Sequence, residues 1–365
     1  MTSSTFALAR TLRQSLWLGG LAVALAVAGC GSSELPTQPD PDPPPEPDPA
    51  ASFTNPLNQS GPDPWMTYHD GNYYLAATTW GGPDVGLTMR KAPTIEGLKN
   101  AAPVQIWQDS TPDRCCNYWA PEFFLLDGPN GPRWYGHFTG GAAGDDFVNT
   151  QYMHVIESEG TDPMGPYTYK GKLVERNALD GTVLEIDGDM YAVYSVWNQT
   201  QDLAIKRMSS PWETTGEEVI LSRPAYDWER QDGTVNEGPV ALYRGDQTFI
   251  VYAASACWGP NYKLGLLTYQ GGDPLDPDSW VKRAQPVFQR SDRNGVYGPG
   301  HNTFFESPDG SETWMVYHAN DQPTDGCDMG RTPRIQKITW NDDGTPNFGE
   351  PVSTSTLLEV PSRDE

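Results

Sequence analysis

A hairpin turn recurs five times along this chain at nearly even spacing. Asp-Gly, or a close variant of it, marks each turn, and the turn glycines are separated by 57, 60, 57 and 65 residues. These glycines are Gly71, Gly128, Gly188, Gly245 and Gly310. Each turn lies between short runs of β-branched and aromatic residues, which is the strongest local signal for a β-hairpin. The chain is therefore predicted to repeat one hairpin-centred unit five times.

The size of the repeat indicates how the units are arranged. Each unit has room for four strands and their loops, and no long segment has the periodicity of an amphipathic helix. Four-stranded sheets repeated around a central channel form a β-propeller. We predict an all-β, five-bladed β-propeller over residues 52–365. A β-sandwich with accidental turn spacing is the alternative, and it is disfavoured because the segments before the turns match as well.

The first 51 residues differ from the repeats in composition. Residues 1–30 contain a basic start, a short apolar run and the ending Val27-Ala28-Gly29-Cys30. This order is typical of a bacterial lipoprotein signal peptide, in which Cys30 becomes acylated. An ordinary signal peptide with an incidental cysteine is the alternative. We predict an exported protein, lipid-anchored at Cys30 to the periplasmic or cell-surface face of the envelope, with no other membrane contact.

Residues 31–51 are rich in Pro, Asp and Glu. Proline stiffens such a segment and its like charges extend it further, so it is predicted to be a linker that holds the propeller away from a membrane. An acidic tail that binds a partner is the alternative interpretation.

The overall charge restricts the classes of partner. The formal net charge is −24, and nucleic-acid binding needs a basic surface, so no nucleic-acid partner is expected. Acidic polysaccharides would be repelled. A neutral oligosaccharide or polysaccharide is compatible with this charge.

Four cysteines follow Cys30, namely Cys115, Cys116, Cys257 and Cys327. An even number in an exported protein predicts disulfides. Three pairings are open, and in one of them the adjacent Cys115 and Cys116 bridge each other.

Polar residues with acid–base chemistry occupy the entrance to the hairpin in four of the five units. They are Asp63, Asp180, Glu237 and His301. If the hairpins are equivalent, these side chains meet at one mouth of the channel. Each carboxylate taken alone is more often structural, but three at equivalent positions favour catalysis.

Converging carboxylates suit the cleavage of a glycosidic bond. An inverting glycosidase needs one protonated acid for the leaving oxygen and one carboxylate that activates water on the opposite face of the sugar. A third carboxylate near the acid raises the pKa of that acid by repulsion.

Six segments resemble glycoside hydrolase family 43 over a stretch from about Asn55 to about Pro351. They are DPWMTYHDGNYYL, NYWAPEFF, LDGTVLEIDGDMYAVYS, VNEGPVALYRGDQTFIVYAAS, GVYGPGHNTFF and GRTPRIQKITW. The resemblance implies that Asp63 is the general base, that Glu237 is the general acid, and that Asp180 orients the acid and tunes its pKa.

The resemblance also implies residues that bind the sugar. Candidates for substrate contact are Trp80, Trp119, Glu122, Trp197, Trp258, His301 and Arg331. For any one tryptophan, packing in the core is the default alternative. Arg331 could instead form an ion pair with Asp325 or Asp328, and His301 could be a buried structural histidine. No cofactor is expected to be required, and the resemblance allows a structural calcium ion at His301, bound directly or through water.

Within the family, the sequences of these segments are most similar to those of exo-acting α-L-arabinofuranosidases. The resemblance therefore implies release of arabinofuranose from plant arabinan or arabinoxylan. A β-xylosidase or an endo-arabinanase with the same three acids is one alternative. A sugar-binding propeller lipoprotein without turnover is the alternative from another functional class.

Overall fold

A computed structural model describes residues 51–144 and 146–363 of the chain. Five antiparallel sheets of consecutive strands make up most of it. Blade 1 contains β2 (Trp65–His69), β3 (Asn72–Ala76), β4 (Leu87–Ala92) and β5 (Val104–Trp107). Blade 2 contains β6 (Cys116–Gly128), β7 (Gly131–Gly141), β8 (Tyr152–Ser158) and β9 (Tyr167–Lys172). Blade 3 contains β10 (Ala178–Ile186), β11 (Asp189–Asn198), β12 (Thr200–Ser210) and β13 (Glu213–Ser222).

The last two blades continue this order. Blade 4 contains β14 (Asn236–Arg244), β15 (Gln247–Ala254), β16 (Lys263–Tyr269) and β17 (Trp280–Lys282). Blade 5 contains β18 (Tyr297–Glu306), β19 (Thr313–Asn320) and β20 (Thr332–Lys337). Two short pairs complete the strands, β1 (Ser52–Phe53) with β23 (Leu358–Glu359) and β21 (Thr339–Trp340) with β22 (Pro346–Asn347). The predicted all-β, five-bladed propeller is confirmed.

The ring closes where the start of the propeller meets blade 5. Leu57 and Gly61 donate backbone hydrogen bonds to carbonyls at the outer strand of that blade. The Asn55 side chain both donates to and accepts from the backbone of Ile335. These contacts supply polar partners where the sheet itself has only three strands, so the edge is covered.

Five hydrophobic clusters hold the blades together, and each fills one interface between neighbouring blades. Tyr194 packs with residues of blades 2 and 3, Tyr252 with blades 3 and 4, and Tyr317 with blades 4 and 5. Two further clusters join blade 1 to blades 5 and 2. A core divided in this way allows 300 residues to form one domain, because each sheet is covered on both faces.

Four of the five predicted turns lie between the first and second strands of their blades. The exception is Asp127-Gly128, which still belongs to β6, and the chain turns instead through Pro129 and Asn130. The prediction of this turn was wrong by two residues, because Gly131, with φ of 79°, supplies the left-handed conformation that the turn needs.

Each blade has a residue with positive φ within or just before its first strand, near the point where that strand enters the blade. These residues are Asp63, Ala120, Asp180, Gly238 and His301, with φ between 43° and 53°. In four blades the pairing register shifts near this residue, as in a β-bulge. Four of the five are not glycine, and such strained backbone collects at functional sites. Glu237 lies one residue before the repeated position.

Two disulfides settle the pairing that the sequence left open. Cys115 is bonded to its neighbour Cys116, and Cys257 is bonded to Cys327. The helices are the short α1 (Ile95–Asn100) and α2 (Phe147–Thr150), with 3-10 turns at Asp227–Arg230, Pro277–Ser279 and Asp292–Asn294. Among the residues that the structure describes, no helix has the length and apolar character needed to cross a bilayer. The predicted signal peptide, Cys30 and nearly all of the linker lie outside the described residues.

Candidate active site

The three predicted carboxylates come together in the folded domain. Glu237 and Asp63 both raise the pKa of Asp180 by electrostatic repulsion. All three carboxylates act on the pKa of the phenol of Tyr262, which is fully buried beside them. Asp63 and Asp180 have positive φ, and Glu237 directly precedes Gly238, which also has positive φ.

Asp63 is surrounded by hydrogen-bond donors and cationic groups. Its Oδ1 accepts a hydrogen bond of 2.8 Å from the guanidinium of Arg331, and its Oδ2 accepts one of 2.6 Å from the hydroxyl of Thr78. The Nδ1 atoms of His318 and His301 lie 3.2 and 3.3 Å from Oδ1. Burial alone would raise the pKa of Asp63, but Arg331, followed by His301, holds it well below its usual range. Asp63 is therefore ionised at neutral pH.

Asp180 and Glu237 occupy an opposite electrostatic environment. Burial raises the pKa of Asp180 well above its usual range, and repulsion from Glu237 and Asp63 raises it further, against a hydrogen bond from the Gly238 amide. Burial also raises the pKa of Glu237, against the lowering effects of His301 and of a hydrogen bond from Tyr262. No cation is paired with either carboxyl among the described ion pairs. The two carboxyls titrate as a pair that retains a proton above the usual range for a carboxylic acid.

Neighbouring side chains fix the carboxyl of Glu237 in one place. Tyr262 donates to Oε1 and Gln201 donates to Oε2, each at 2.7 Å. Gln201 also donates to the hydroxyl of Ser195, which in turn donates to the backbone carbonyl of Asn236. A buried network in which each polar group has a partner restricts the side chain that it surrounds. The site thus holds an ionised Asp63 and two further carboxyls whose pKa values are raised.

The arrangement matches a recognised family of enzymes. The family model described as "Glycosyl hydrolases family 43" matches residues 53–346, which is most of the chain. The chain belongs to glycoside hydrolase family 43.

Curated relatives of this family 43 protein are arabinofuranosidases. The extracellular exo-α-(1→5)-L-arabinofuranosidase of Streptomyces avermitilis is 37% identical over 320 residues, covering 83% of this chain and 64% of that protein. The α-L-arabinofuranosidase 43 of Humicola insolens is 35% identical, again over 83% of this chain and 64% of the relative. The chain therefore spans slightly less than two thirds of the length of these relatives. A crystal structure of an α-L-arabinofuranosidase from Lactobacillus brevis superposes with a TM-score of 0.75 at 35% identity, covering 83% of this chain and 98% of that one.

His301 lies in the middle of the family 43 site, with its side chain 93% buried. A calcium ion here would need ligands from the surroundings of His301. Calcium takes six to eight oxygen ligands, whereas the described residues contain no group of three or more His, Cys, Asp or Glu side chains arranged to hold a metal. The residues do not fit a calcium site built from side chains. Calcium held through water beside His301 stays a prediction.

The four predicted tryptophans lie at the surface or near it. Trp80, Trp197 and Trp258 are 43%, 36% and 58% exposed. Trp80 packs beside Trp119 with ring centroids 5.2 Å apart. Exposed aromatic rings of this kind suit stacking on a sugar, although their contact with substrate stays a prediction.

Arg331 and Glu122 are both buried, and the structure shows what surrounds each of them. Arg331 pairs with Asp63 and donates from Nε to the backbone carbonyl of Asp328, not to the carboxylates proposed as its alternative partners. Glu122 is buried on β6 and lines a cavity of about 240 Å³ along the inner strands, with Thr182 and Thr303. Burial raises the pKa of Glu122 to about 8. Its predicted role in substrate contact is not tested by this placement.

Sequence reasoning missed several residues that hold the site together. Thr78, Gln201, Tyr262 and His318 all contact a candidate catalytic carboxylate. Burial and nearby Arg331 lower the pKa of His318 to about 3, so its ring is neutral and its Nδ1 accepts a hydrogen bond from the Asp63 amide. Thr78 and His318 could have been predicted from their equivalent positions in the repeat, because Thr78 follows the second strand of its blade and His318 lies within the second strand of its blade.

Proposed function

We propose that this chain is an inverting, exo-acting α-L-arabinofuranosidase that releases arabinofuranose from plant arabinan or arabinoxylan. The observation that carries the proposal is the electrostatic contrast between Asp63 and the Asp180–Glu237 pair. One side of the site favours a carboxylate and the other favours a carboxylic acid, as inverting hydrolysis requires. The arabinofuranosidase names of the two relatives support the choice of sugar.

Asp63 is the general base in this mechanism. Its carboxylate accepts a proton from a water molecule as the water oxygen attacks the anomeric carbon. At the same time Glu237 donates its proton to the glycosidic oxygen, and the bond between that oxygen and the anomeric carbon breaks. The new bond forms on the face opposite the leaving group, so the released sugar has the inverted anomeric configuration. Solvent returns the proton balance by deprotonating Asp63 and reprotonating Glu237.

Asp180 keeps Glu237 ready to donate. Repulsion between the two carboxyls disfavours the state in which both are ionised, so the pair is proposed to keep one proton to a higher pH than a single carboxylic acid would. Gln201 and Tyr262 orient the carboxyl of Glu237 toward the leaving oxygen. The exposed tryptophans at the rim are proposed to stack on sugar rings of the polymer.

We also propose that the protein is exported and anchored through an acylated Cys30, with residues 31–51 as the spacer. The two disulfides support an oxidising compartment. The word "extracellular" in the name of the Streptomyces avermitilis relative agrees with export. A Cys30→Ala variant of the full chain should leave the membrane fraction, and retention of the variant in that fraction would contradict the anchor.

The proposed function is tested with two aryl glycosides, an α-L-arabinofuranoside and a β-D-xyloside. We expect turnover of the arabinofuranoside by the wild-type protein and a loss of about 10³-fold in kcat for Asp63→Asn, as for removal of a general base. Proton NMR of the first product should detect the inverted anomer. Release of the retained anomer would overturn the mechanism, and turnover of the xyloside alone would overturn the choice of sugar.

A further inference from the structure

Two chain segments beside Asp63 are joined by a short ladder of hydrogen bonds. One segment follows β3 in blade 1, and the other is the start of β6 in blade 2. The amide of Asn117 donates to the carbonyl of Gly81 at 3.1 Å, and the amide of Gly81 donates back to Asn117 Oδ1 at 3.2 Å. The amide of Thr79 donates to the carbonyl of Tyr118 at 2.8 Å. Three hydrogen bonds therefore join the two segments.

Thr78 stands at the end of this ladder and connects it to Asp63. The amide of Ala120 donates to Thr78 Oγ1 at 2.9 Å, and Thr78 Oγ1 lies 2.6 Å from Asp63 Oδ2. A hydroxyl has a single proton. Because Thr78 Oγ1 accepts from Ala120, its own proton is directed to the carboxylate of Asp63. The Thr78 side chain is 97% buried in these contacts.

The same bond between neighbouring blades occurs elsewhere in the ring. The amide of Asp180 donates to Thr139 Oγ1 at 3.1 Å, and the amide of Asp63 donates to His318 Nδ1 at 3.1 Å. In each case a side chain near the second strand of one blade satisfies the strained residue of the next blade. Thr78 has this structural contact and also a direct bond to a candidate catalytic carboxylate.

A vicinal disulfide lies at the other end of the ladder. Cys115 and Cys116 are bonded to each other and buried, and the next residue is Asn117, with φ of 53°. A bridge between adjacent residues closes a small ring that includes their peptide bond, so it restricts the backbone directly before the ladder. The loop between two adjacent residues is the shortest that a disulfide can close, so the bond contributes little through unfolded-state entropy.

We propose that Thr78, held by the segment that the Cys115–Cys116 disulfide fixes, is a positioning residue for the carboxylate of Asp63. The inference rests on the proposed function, in which Asp63 is the general base. Arg331 binds one oxygen of the carboxylate and Thr78 binds the other, so the pair prevents rotation of the carboxylate. Correct orientation toward water is what the base contributes, and small misplacements of reacting groups reduce rates strongly.

The first test compares Thr78→Val with Thr78→Ser and with Thr79→Val. Thr79 is a matched control, because its hydroxyl donates to the carbonyl of Gly86 instead. For Thr78→Val we expect kcat to fall roughly 10- to 100-fold while KM changes by less than about threefold. Thr78→Ser restores kcat, and Thr79→Val keeps it close to wild type. An unchanged kcat in Thr78→Val with an active wild-type enzyme would overturn the proposal.

A crystal structure of Thr78→Val gives a readout that does not need activity. We expect the Asp63 carboxylate to turn or to occupy two orientations, and to keep one orientation in Thr79→Val. If the wild-type protein hydrolyses no arabinofuranoside, the proposed function fails while this measurement still decides the positioning role. One unchanged orientation of Asp63 in Thr78→Val would overturn that role.

The role of the Cys115–Cys116 disulfide is tested by combining its removal with Thr78→Val. Replacing Cys115 and Cys116 together by Ser should lower kcat, and adding Thr78→Val should lower it by less than the product of the two separate effects, because both act through one hydrogen bond. The matched control replaces Cys257 and Cys327 by Ser, and its effect should multiply with that of Thr78→Val. Multiplying effects in the first combination would remove the disulfide from the proposal.

Discussion

The two sides of the candidate active site shift the pKa of a carboxyl group in opposite directions. Asp63 accepts hydrogen bonds from Arg331 and Thr78 and stays ionised. Asp180 is as buried as Asp63 and Glu237 is partly buried, but neither has a cationic partner among the described ion pairs, and burial raises the pKa values of both. The comparison teaches that burial alone does not assign roles to carboxylates, because the charged neighbours decide which one keeps a proton.

The largest effect should be a loss of kcat when Glu237 or Asp63 is replaced, measured on two substrates with different leaving groups. Glu237→Gln should lower kcat about 10³-fold or more on arabinan, since general acid catalysis contributes up to about 10⁴-fold. Its effect should be much smaller on an aryl arabinofuranoside whose leaving group needs no proton. Asp63→Asn should be equally damaging on both substrates, because water must be activated in either case. Steady-state kinetics on the two substrates measures these losses. If the two variants lost kcat in the same ratio on both substrates, the different roles of Asp63 and Glu237 would be contradicted.

A smaller effect is expected when the cation beside Asp63 is removed. Arg331→Met leaves a buried carboxylate without its ion pair, which should lower the free energy of unfolding by about 3 kcal/mol at pH 7. The pKa of Asp63 should rise, so the acidic limb of the kcat/KM profile moves to higher pH. Denaturant unfolding and a pH–rate profile measure the two parts. Arg334→Met serves as the control, since Arg334 pairs with Asp321 and not with Asp63.

The smallest effects should be changes in the pH dependence of stability, and they should have opposite signs. Because the pKa of Asp63 is lowered in the folded state, its carboxylate stabilises that state at pH values above its unfolded-state pKa of about 3.9. This stabilisation is lost as the pH falls through the pKa of the folded state. The raised pKa of Asp180 has the opposite effect: the free energy of unfolding decreases as the pH rises above the pKa of Asp180 in the unfolded state.

Asp180→Asn should therefore gain stability relative to wild type between pH 5 and pH 8, on the order of 1 kcal/mol. Asp63→Asn should lose stability relative to wild type as the pH rises from 2 to 5. Thermal unfolding at a series of pH values checks both slopes, and slopes of the same sign would contradict the contrast between the two sides.

Much of the fold was predictable because the hairpin signals are local. Turn residues and alternating apolar runs lie within a few positions of each other, so the five blades and the strand entrances could be read along the chain. The turn after β6 was misplaced because Asp127-Gly128 precedes a second glycine that makes the turn. Glu237 was placed in register with Asp63, whereas the left-handed residue of blade 4 is Gly238.

The contacts that give each carboxylate its charge could not be predicted in the same way. Asp63 binds Arg331 across 268 positions of sequence and His318 across 255. Thr78 carries no motif, and its hydroxyl matters only because Ala120 of the next blade supplies the second hydrogen bond. Arg331 was assigned to the substrate from family resemblance, which gave no sign of its bond to Asp63; its contact with substrate stays a prediction.

By itself, the sequence determined the number of blades and the positions of the three candidate acids near the strand entrances, since these depend on short-range turn and strand preferences, although blade 5 has three strands rather than the four expected. The tertiary structure decided which cysteines pair, how blade 5 is closed and which acid is ionised. Those outcomes depend on burial and on charges that closure of the ring brings together from opposite ends of the domain, and no local pattern encodes them.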